Sequence, residues 1–416
     1  MNRKMLIAAA LFLLFFPQGN ARAEETLKLG TVLDEVEKNN PTLAAARKGI
    51  EVFEGQVATA REIPNPEVDV SVTKLPFGGP YVSGDISRDY TLQQTFEIGG
   101  KRKLRTQSAR ANLENQREGL RAQGLDLFKQ AKEAYYTYTA ANEKFRFTSE
   151  NLSFQQRFLA RVEENFQSGQ ATLADLSRAK LEASRAYNDV LVARKDAETA
   201  KSNLNRLMGH EIGHPLPAPE HMRKPSLSIN ESSLVKEAVS LRPERNAINH
   251  QQEGSRADLK LARRQVFTPD IKAQIVYQQA ERNDNRNSWG GGLGMTLPLW
   301  NRNRGARQSA AAKIESLEIQ KDDVEHQIEL EVHQAALQIG LSRDQIKLWD
   351  SAVEDATEAA RIAQQRYLEG EVDLSIFFQS RRDLVGTTLQ YLDSLKDYYL
   401  NVAALERAVG EELEKR

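Results

Sequence analysis

The strongest constraint on this sequence is an internal duplication. When the chain is shifted by 201 residues, five landmarks of the first half fall on similar residues of the second. Phe166, Gly169, Leu173, Leu204 and Gly209 fall on Tyr367, Gly370, Leu374, Leu405 and Gly410. A repeat of this size predicts two similar halves that pack around a pseudo-symmetry axis, which is not the organisation of two unrelated domains.

Each half contains a long heptad pattern on both sides of the shared glycine. Apolar and small residues recur at alternating steps of three and four, the spacing of helices that pack lengthwise on one another. The seams before the glycines cover residues 127–166 and 328–367, and those after them cover 176–207 and 377–408. The pattern therefore predicts two antiparallel helical hairpins with Gly169 and Gly370 at their tips.

The positions of the prolines allow these helices to be very long. None of the 13 prolines lies between Pro80 and Pro215, or after Pro298, so both regions can form uninterrupted helix. From about Lys101 to the first tip the helix would contain about 67 residues and extend roughly 100 Å. This length is far greater than that of ordinary globular helices.

The N-terminus has the features of a cleaved secretory signal. Arg3 and Lys4 precede an apolar run at 5–16 and a small-residue site at 21–23, which predicts a signal peptide over 1–23 and a mature chain from Glu24. Its removal takes away three positive charges, so the net charge goes from −1 to −4, which is too small to indicate a nucleic-acid partner. The chain has no cysteine, which excludes disulfides, thiolate metal sites and a lipid anchor on cysteine.

Two segments in each half follow the alternating pattern of β-strands. They cover residues 66–75 and 86–96 in the first half, and 271–278 and 289–299 in the second. Each has one apolar and one polar face, and each is about 10 residues long, the length that a tilted strand needs to cross a bilayer. Aromatic residues near the ends of these segments suit the two membrane interfaces. They are Tyr81, Tyr90, Tyr277, Trp289 and Trp300.

The alternative is a soluble α+β domain, in which another layer covers the apolar face of the sheet. Nearly all remaining residues, however, belong to helices whose seams face other helices. If the apolar face contacts lipid, the sheet must close, and four strands are fewer than the eight of the smallest spanning barrels. The sequence therefore predicts an α+β membrane protein in which several copies each contribute four strands to one barrel. The expected lining of its lumen includes Thr91, Gln93, Thr95, Lys272 and Gln274.

This arrangement resembles the TolC-type outer-membrane efflux factors over the whole mature chain. The matching elements are Asn40-Pro41 and Arg242-Pro243, the strand-to-helix corners at 96–102 and 298–304, and the two glycine tips. The corner Gly99-Gly100-Lys101-Arg102 is most similar to the heavy-metal cation-efflux branch, whose members work with resistance-nodulation-division pumps.

The resemblance implies a homotrimer that shares a twelve-stranded barrel in the outer membrane of a Gram-negative bacterium and extends a helical tunnel into the periplasm. Its partners would be outer-membrane lipid, a periplasmic adaptor (membrane fusion protein) and an inner-membrane pump. It implies a passive channel for heavy-metal cations, with a multidrug or type I secretion channel as the alternative. The domains would be a first repeat at 24–210, a proline- and histidine-containing linker at 211–230 and a second repeat at 231–416.

The resemblance also assigns roles to individual residues. The adaptor-docking tips would be Ser168, Gly169, Gln170 and Leu173 in the first half, and Glu369, Gly370, Glu371 and Leu374 in the second. An ordinary hairpin turn, in which glycine supplies a left-handed conformation, explains the same glycines. Asp175 and Asp373 are candidates for the aperture, because three copies of a carboxylate around a narrow axis attract cations. The second half departs from the family pattern, since it carries Ile376 and Gln379 where relatives have acids, and a solvated surface charge is the other interpretation of both aspartates.

One motif suggests a different activity. Residues 210–214 spell His-Glu-Ile-Gly-His, the pattern of zinc proteases, whose chemistry needs both imidazoles one turn apart on a helix. Gly209 is expected to end the preceding helix, Gly213 weakens any continuation, and three prolines follow at 215, 217 and 219. The sequence therefore predicts no catalytic residues, no cofactor and no metal site, and it places these histidines in the linker.

Three classes of function follow from these features. The leading class is a passive export channel that is not an enzyme. A periplasmic coiled-coil adaptor would instead contain one hairpin and β-rich flanking domains, and a hydrolase would depend on the histidine motif. No phosphate-binding glycine loop is present, so a partner must supply the energy for transport.

Overall fold

The two halves have the same order of elements: two short helices, two strands, a long helix and a return helix. In the first half these are α1 (Leu29–Asn39), α2 (Pro41–Arg61), β1 (Glu67–Thr73), β2 (Ser87–Phe96), α3 (Lys101–Gln167) and α4 (Leu173–Met208). In the second they are α5 (Glu231–Leu241), α6 (Pro243–Phe267), β3 (Ile271–Ala280), β4 (Ser288–Met295), α7 (Arg304–Leu368) and α8 (Leu374–Val409). The bounds of α4 and α8 differ by 201 at both ends, which confirms the predicted repeat.

The computed structural model describes residues 26–73, 87–225, 230–280 and 287–413. The predicted signal peptide at 1–23 and the interfacial candidate Tyr81 lie outside these ranges. Within them, every helix is either too short or too polar to pass through a lipid bilayer.

The long helices and their hairpins agree with the heptad pattern. Helix α3 has 67 residues and pairs with α4, and α7 has 65 residues and pairs with α8. The seam residues Ala131, Val162, Ile328 and Ile339 are buried, as the spacing predicts. Apolar contact along each seam therefore holds each hairpin together.

In each half, the residue before the proline that begins the second short helix connects the short helices to the return helix. These residues are Asn40, before Pro41, and Arg242, before Pro243. Asn40 accepts hydrogen bonds from the amides of Thr42 and Leu43 and donates one to the carbonyl of Leu207 at 2.8 Å. In the second half, Arg242 donates a hydrogen bond to the carbonyl of Ala408 at 3.0 Å. The two halves thus make the same connection with different side chains, at the last turn of α4 and of α8.

Each half has its own hydrophobic core, and the cores meet through aromatic residues. One core lies among α1, α3 and α4, and the other among α5, α7 and α8. Tyr399 packs against both cores and stacks on Tyr136 of α3, with ring centroids 4.3 Å apart. The halves therefore form one continuous helical body.

The four strands form one antiparallel sheet in the order β1-β2-β3-β4. Within it β2 pairs with β3, so the strands of the two halves join edge to edge. Strand β4 ends at Met295, and the alternation predicted to continue to Leu299 is not strand. The reason is local: Pro298 has no amide hydrogen for a sheet ladder, and the amide of Leu299 bonds to the carbonyl of Leu297 instead.

Candidate functional site

The sheet has one apolar face, and this face is exposed. In the register of the strands, Val70 lies opposite Tyr90, Tyr90 opposite Tyr277, and Tyr277 opposite Trp289. The last two rings are 4.8 Å apart. Neighbouring positions of the same face carry further exposed apolar side chains: Val68, Leu92, Phe96, Ile275, Leu293 and Met295. Contiguous apolar surface of this kind marks contact with another apolar phase or molecule.

The opposite face of the sheet is polar. Thr91, Gln93, Thr95, Lys272 and Gln274 all lie on it, so the structure brings the expected lining residues together on one surface. Glycines of β4 lie beside them, and a Cβ at Gly292 would be 2.9 Å from the amide nitrogen of the Gln274 side chain. The absence of side chains on this part of β4 gives the long polar side chains of β3 room to lie across it.

The outer strands β1 and β4 each pair on one side only, among the residues that the structure describes. Each therefore has a row of backbone amide and carbonyl groups that are free to pair with another strand. An unpaired edge is a template for strand addition, and an edge in lipid must be closed.

The first hairpin tip is a glycine-terminated turn followed by a capping box. Gly169 has φ of 77°, and the amide of Gln170 donates to the carbonyl of Asn165 at 2.7 Å, which closes the end of α3. Ser168 donates its hydroxyl to the same carbonyl at 3.0 Å. Leu173 begins α4 with 65% of its surface exposed.

The second tip has the same backbone and a different surface. Gly370 has φ of 77°, and the amide of Glu371 donates to the carbonyl of Arg366 at 2.9 Å. Glu369 and Glu371 are exposed, but Leu374 is only 1% exposed, because it packs into a cluster with Val162, Leu176 and Phe377. The two leucines that the repeat places in register therefore differ: Leu173 is on the surface and Leu374 is in the interior.

The aperture candidates have local structural partners. Asp175 is the third residue of α4, where its carboxylate accepts hydrogen bonds from the amide and the hydroxyl of Thr172 at 3.0 and 2.6 Å. Asp373 is the N-cap of α8 and lies 3.8 Å from the guanidinium of Arg178 on α4. Burial raises the pKa of Tyr367, and the negative charges of Asp175 and then Asp373 raise it further. The structure therefore brings the two aspartates near the same phenol, although they come from different halves.

Sequence reasoning missed a second packing face of α3 near the tips. The rings of Phe154 and Phe158 lie outside the predicted seam and pack on Phe377, at centroid distances of 6.3 and 4.8 Å. Farther from the tip along α4, the buried carboxylate of Glu182 accepts hydrogen bonds from Arg382 on α8 at 2.6 Å and from Arg185 at 2.7 Å. The only signal in the sequence was that Phe154 and Phe158 are one helical turn apart.

The histidine motif does not form a helical zinc site. Helix α4 ends at Met208, and Gly209 has φ of 76°, as predicted. His210 lies 3.2 Å from the carboxylate of Glu35, while the backbone carbonyls of Ile212 and His214 accept hydrogen bonds from Asn205. No group of three or more potential metal ligands occurs within the described ranges.

The comparison with known families decides the assignment. The sequence profile of the Outer membrane efflux protein family matches residues 32–210 and 234–411, which is most of both halves. The chain belongs to the outer membrane efflux protein family. The predictions of an outer-membrane efflux channel with a large periplasmic helical part, and of a protein that is not an enzyme, are thereby confirmed.

Individual relatives support this membership at low identity. The cobalt-zinc-cadmium resistance protein CzcC of Cupriavidus metallidurans is 22% identical over 92% of this chain and 90% of its own length. The outer membrane efflux protein BepC of Brucella suis is 22% identical over 98% of this chain and 90% of its own length.

Solved structures of such proteins have the same fold. The crystal structure of CusC superimposes with a TM-score of 0.78 at 19% identity, and covers 92% of each chain. The CmeC channel of Campylobacter jejuni gives 0.78 at 16% identity, over 92% of this chain and 85% of that one. The predicted TolC-type fold with duplicated helical and β-hairpins is confirmed.

Proposed function

We propose that this outer membrane efflux protein is the exit channel of a three-part exporter of heavy-metal cations. It acts as a homotrimer and receives its cargo from a periplasmic adaptor and an inner-membrane pump of the resistance-nodulation-division type. The observation that carries the proposal is the sheet, which has an exposed apolar face, a polar face and two edges that no strand of the described ranges pairs with.

The sheet supports the trimer because the four strands of one copy cannot close into a barrel and so cannot pair the backbone groups at both sheet edges. Three copies that pair β4 of one with β1 of the next give twelve strands, a number within the range of closed membrane barrels. The apolar face then contacts lipid and the face with Thr91 and Gln274 lines water. The helical part supports the same assembly, because α7 has a row of exposed leucines at heptad spacing that its own chain leaves uncovered. These are Leu330, Leu337, Leu341 and Leu348.

The substrate class is proposed from the relatives. CzcC is named for resistance to cobalt, zinc and cadmium, and the similar protein NccC of Alcaligenes xylosoxydans, 23% identical over 75% of this chain and 70% of its own length, for resistance to nickel, cobalt and cadmium. Asp175 and Asp373 fit a cation path, since three copies of each give six carboxylates near the periplasmic entrance. The negative charge of these groups would concentrate divalent cations there.

The tips are proposed as the surface that docks the adaptor. The exposed side chains of Ser168, Gln170 and Leu173 form one contact, and those of Glu369 and Glu371 form the other, while the two glycines set the turns. Leu374 supports the second turn from inside. We further propose that residues 1–23 are a signal peptide and that 211–230 link the two repeats.

Deletion of the gene tests the substrate class. The expected result is greater sensitivity of growth to divalent cobalt, zinc, cadmium or nickel, with unchanged sensitivity to hydrophobic drugs, and full rescue by the wild-type gene. Sensitivity to drugs alone would favour the multidrug alternative. In membrane fractions, a band of trimer size that dissociates on heating is expected, and a monomer at all temperatures would contradict the shared barrel.

The docking role has its own test at Leu173. Because this side chain is 65% exposed and is not part of the buried cluster at the tips, Leu173→Ser is expected to leave the trimer and its melting temperature unchanged while it reduces cross-linking to the adaptor. Leu374→Ser is the matched comparison, and it is expected to destabilise the fold. Unchanged cross-linking by the Leu173 variant, together with unchanged metal resistance, would refute the proposed contact.

A further inference from the structure

A cleft of about 1010 Å³ lies where the sheet meets the helices of the first half. Its lining includes four basic residues, Arg61, Arg102, Lys103 and Arg110, and three apolar ones, Ile63, Pro64 and Phe96. Phe96 is the last residue of β2 on the apolar face, so the cleft adjoins that face. The cleft therefore combines apolar and strongly basic side chains.

The four basic side chains of the cleft are exposed and unneutralised. Arg61, Arg102, Lys103 and Arg110 have no carboxylate partner within the described ranges. Their neighbours differ, since Lys101 pairs with Asp270 at 2.7 Å and Arg105 binds both oxygens of Glu97 at 2.6 and 3.1 Å. Glu97, the acidic residue that lines the cleft, is thus neutralised by Arg105, and the remaining charge of the cleft is positive.

Two of these basic positions recur in the second half. Arg263 lies 202 residues after Arg61, as α6 does after α2, and Arg304 lies 201 residues after Lys103. Beside them, Trp300 is 92% exposed and Leu297 and Leu299 are also exposed. Both corners thus place exposed cations next to exposed apolar side chains. Arg102, Lys103 and Arg304 lie in the first turn of α3 or α7, where a cation opposes the helix dipole, so local helix stability does not explain these three residues.

We propose that the cleft binds the phosphate of an anionic membrane phospholipid, whose acyl chains lie along Phe96 and the apolar face of the sheet. The inference rests on the proposed contact of that face with lipid. The cleft is at the helical end of the sheet, which is the periplasmic side, so the lipid belongs to the periplasmic leaflet. Arginine and lysine side chains bind phosphate oxygens by charge-assisted hydrogen bonds, and the adjoining apolar wall distinguishes a lipid from a free anion.

The test measures lipid binding to the full-length protein in detergent by native mass spectrometry. Phosphatidylglycerol, phosphatidylcholine and inorganic phosphate are the three probes. The variant Arg61→Gln, Arg102→Gln, Lys103→Gln, Arg110→Gln is expected to bind phosphatidylglycerol at least about tenfold more weakly, because each basic group near a lipid surface strengthens binding. The matched control neutralises four exposed arginines of the helical body that have no carboxylate partner among the residues that the structure describes, and binding is expected to be unchanged. These are Arg146, Arg157, Arg161 and Arg194.

Three outcomes overturn the proposal. One is retention of phosphatidylglycerol by the quadruple variant. Another is an equal loss in the control variant. The third is displacement of the lipid by inorganic phosphate at equal concentration, which would assign the cleft to a free anion. If the quadruple variant does not assemble, the pair Arg102→Gln and Arg110→Gln replaces it, with an expected loss of at least about threefold.

The same spectra report lipid binding and oligomeric state separately, so failure of the lipid site can be told apart from failure of the trimeric channel. A wild-type trimer that binds phosphatidylglycerol and phosphatidylcholine equally overturns the lipid site and leaves the trimeric channel in place. A wild-type protein that is monomeric in the spectrum overturns both.

Discussion

The buried ion pair between Lys132 and Glu406 offers the sharpest test of how the two halves are held together. The ammonium of Lys132 on α3 lies 2.7 Å from the carboxylate of Glu406 on α8, and the two side chains are 8% and 6% exposed. The second oxygen of Glu406 accepts a hydrogen bond from the amide of Leu413 at 2.9 Å. We expect Lys132→Met to leave a buried carboxylate without its cation.

The magnitude follows from the burial of the pair. Removal of one partner of a buried ion pair costs about 3–5 kcal/mol, because the other charge stays out of water. Unfolding entropy is about 2.1 cal/mol/K per residue, or roughly 0.8 kcal/mol/K for a chain of this size, so the melting temperature should fall by about 4–6 °C. The double variant Lys132→Met, Glu406→Met buries no charge and should recover most of this loss.

The assay is the apparent melting temperature of the detergent-solubilised protein at pH 7, followed by circular dichroism at 222 nm. The matched control is Lys48→Met, which removes the lysine of an exposed ion pair with Glu51 at 2.7 Å and should leave the melting temperature unchanged. The reasoning would be refuted if Lys132→Met melted like the wild type. It would also be refuted if the double variant were less stable than the single one.

Three further predictions concern the turns, a buried carboxylate and the tip cluster. Gly209→Ala should lower the melting temperature more than Gly169→Ala: both need a left-handed backbone that disfavours alanine by about 1–2 kcal/mol, but only at Gly209 would the new Cβ meet a backbone oxygen, at 2.6 Å. Burial favours a raised pKa for Glu244, but hydrogen bonds from Arg242 and Arg407 outweigh this effect and lower the pKa to about 2 from the ordinary 4.5. The ionised carboxylate of Glu244 therefore stabilises the folded state fully above pH 4.5, and this contribution is lost as the pH falls toward 2. Glu244→Gln should therefore lower the melting temperature at pH 7, and the difference from wild type should vanish near pH 2; a constant difference across this range would contradict the assignment. Phe377→Ala should cost about 3–5 kcal/mol and make the tips the first site of proteolytic cleavage, because its ring fills the cluster between α3 and α8; unchanged cleavage would show that the cluster does not hold the tips.

Much of the fold could be predicted from the sequence because its signals are local. The heptad spacing and the lack of proline predicted a helix from Lys101 of about 67 residues, and α3 has these bounds. Glycine was expected at each tip because a helix end of this type needs a left-handed residue, and Gly169 and Gly370 both have φ of 77°. The same local chemistry correctly predicted that α4 ends before the histidine motif.

The strands were predicted less completely than the helices. Alternation of apolar and polar residues located all four, but it continued past the end of β4, where Pro298 and a tight turn stop the ladder. The alternation of apolar and polar residues also does not predict which strands pair with each other. The pairing of β2 with β3 joins residues from different halves, such as Tyr90 and Tyr277, and depends on how the helices below bring the strands together.

The duplication is visible in the sequence because residues 201 positions apart match. The length of the helices, the position of their turns and the polar and apolar faces of the strands could be predicted because each depends on residues within a few positions of one another. No local signal shows that Leu173 is exposed and its repeat partner Leu374 buried, or that Lys132 meets Glu406 across 274 positions of the chain; tertiary packing produces both. These differences arise because the two hairpins pack on different neighbours. Residues that occupy the same place in the repeat therefore have different surroundings in the folded molecule.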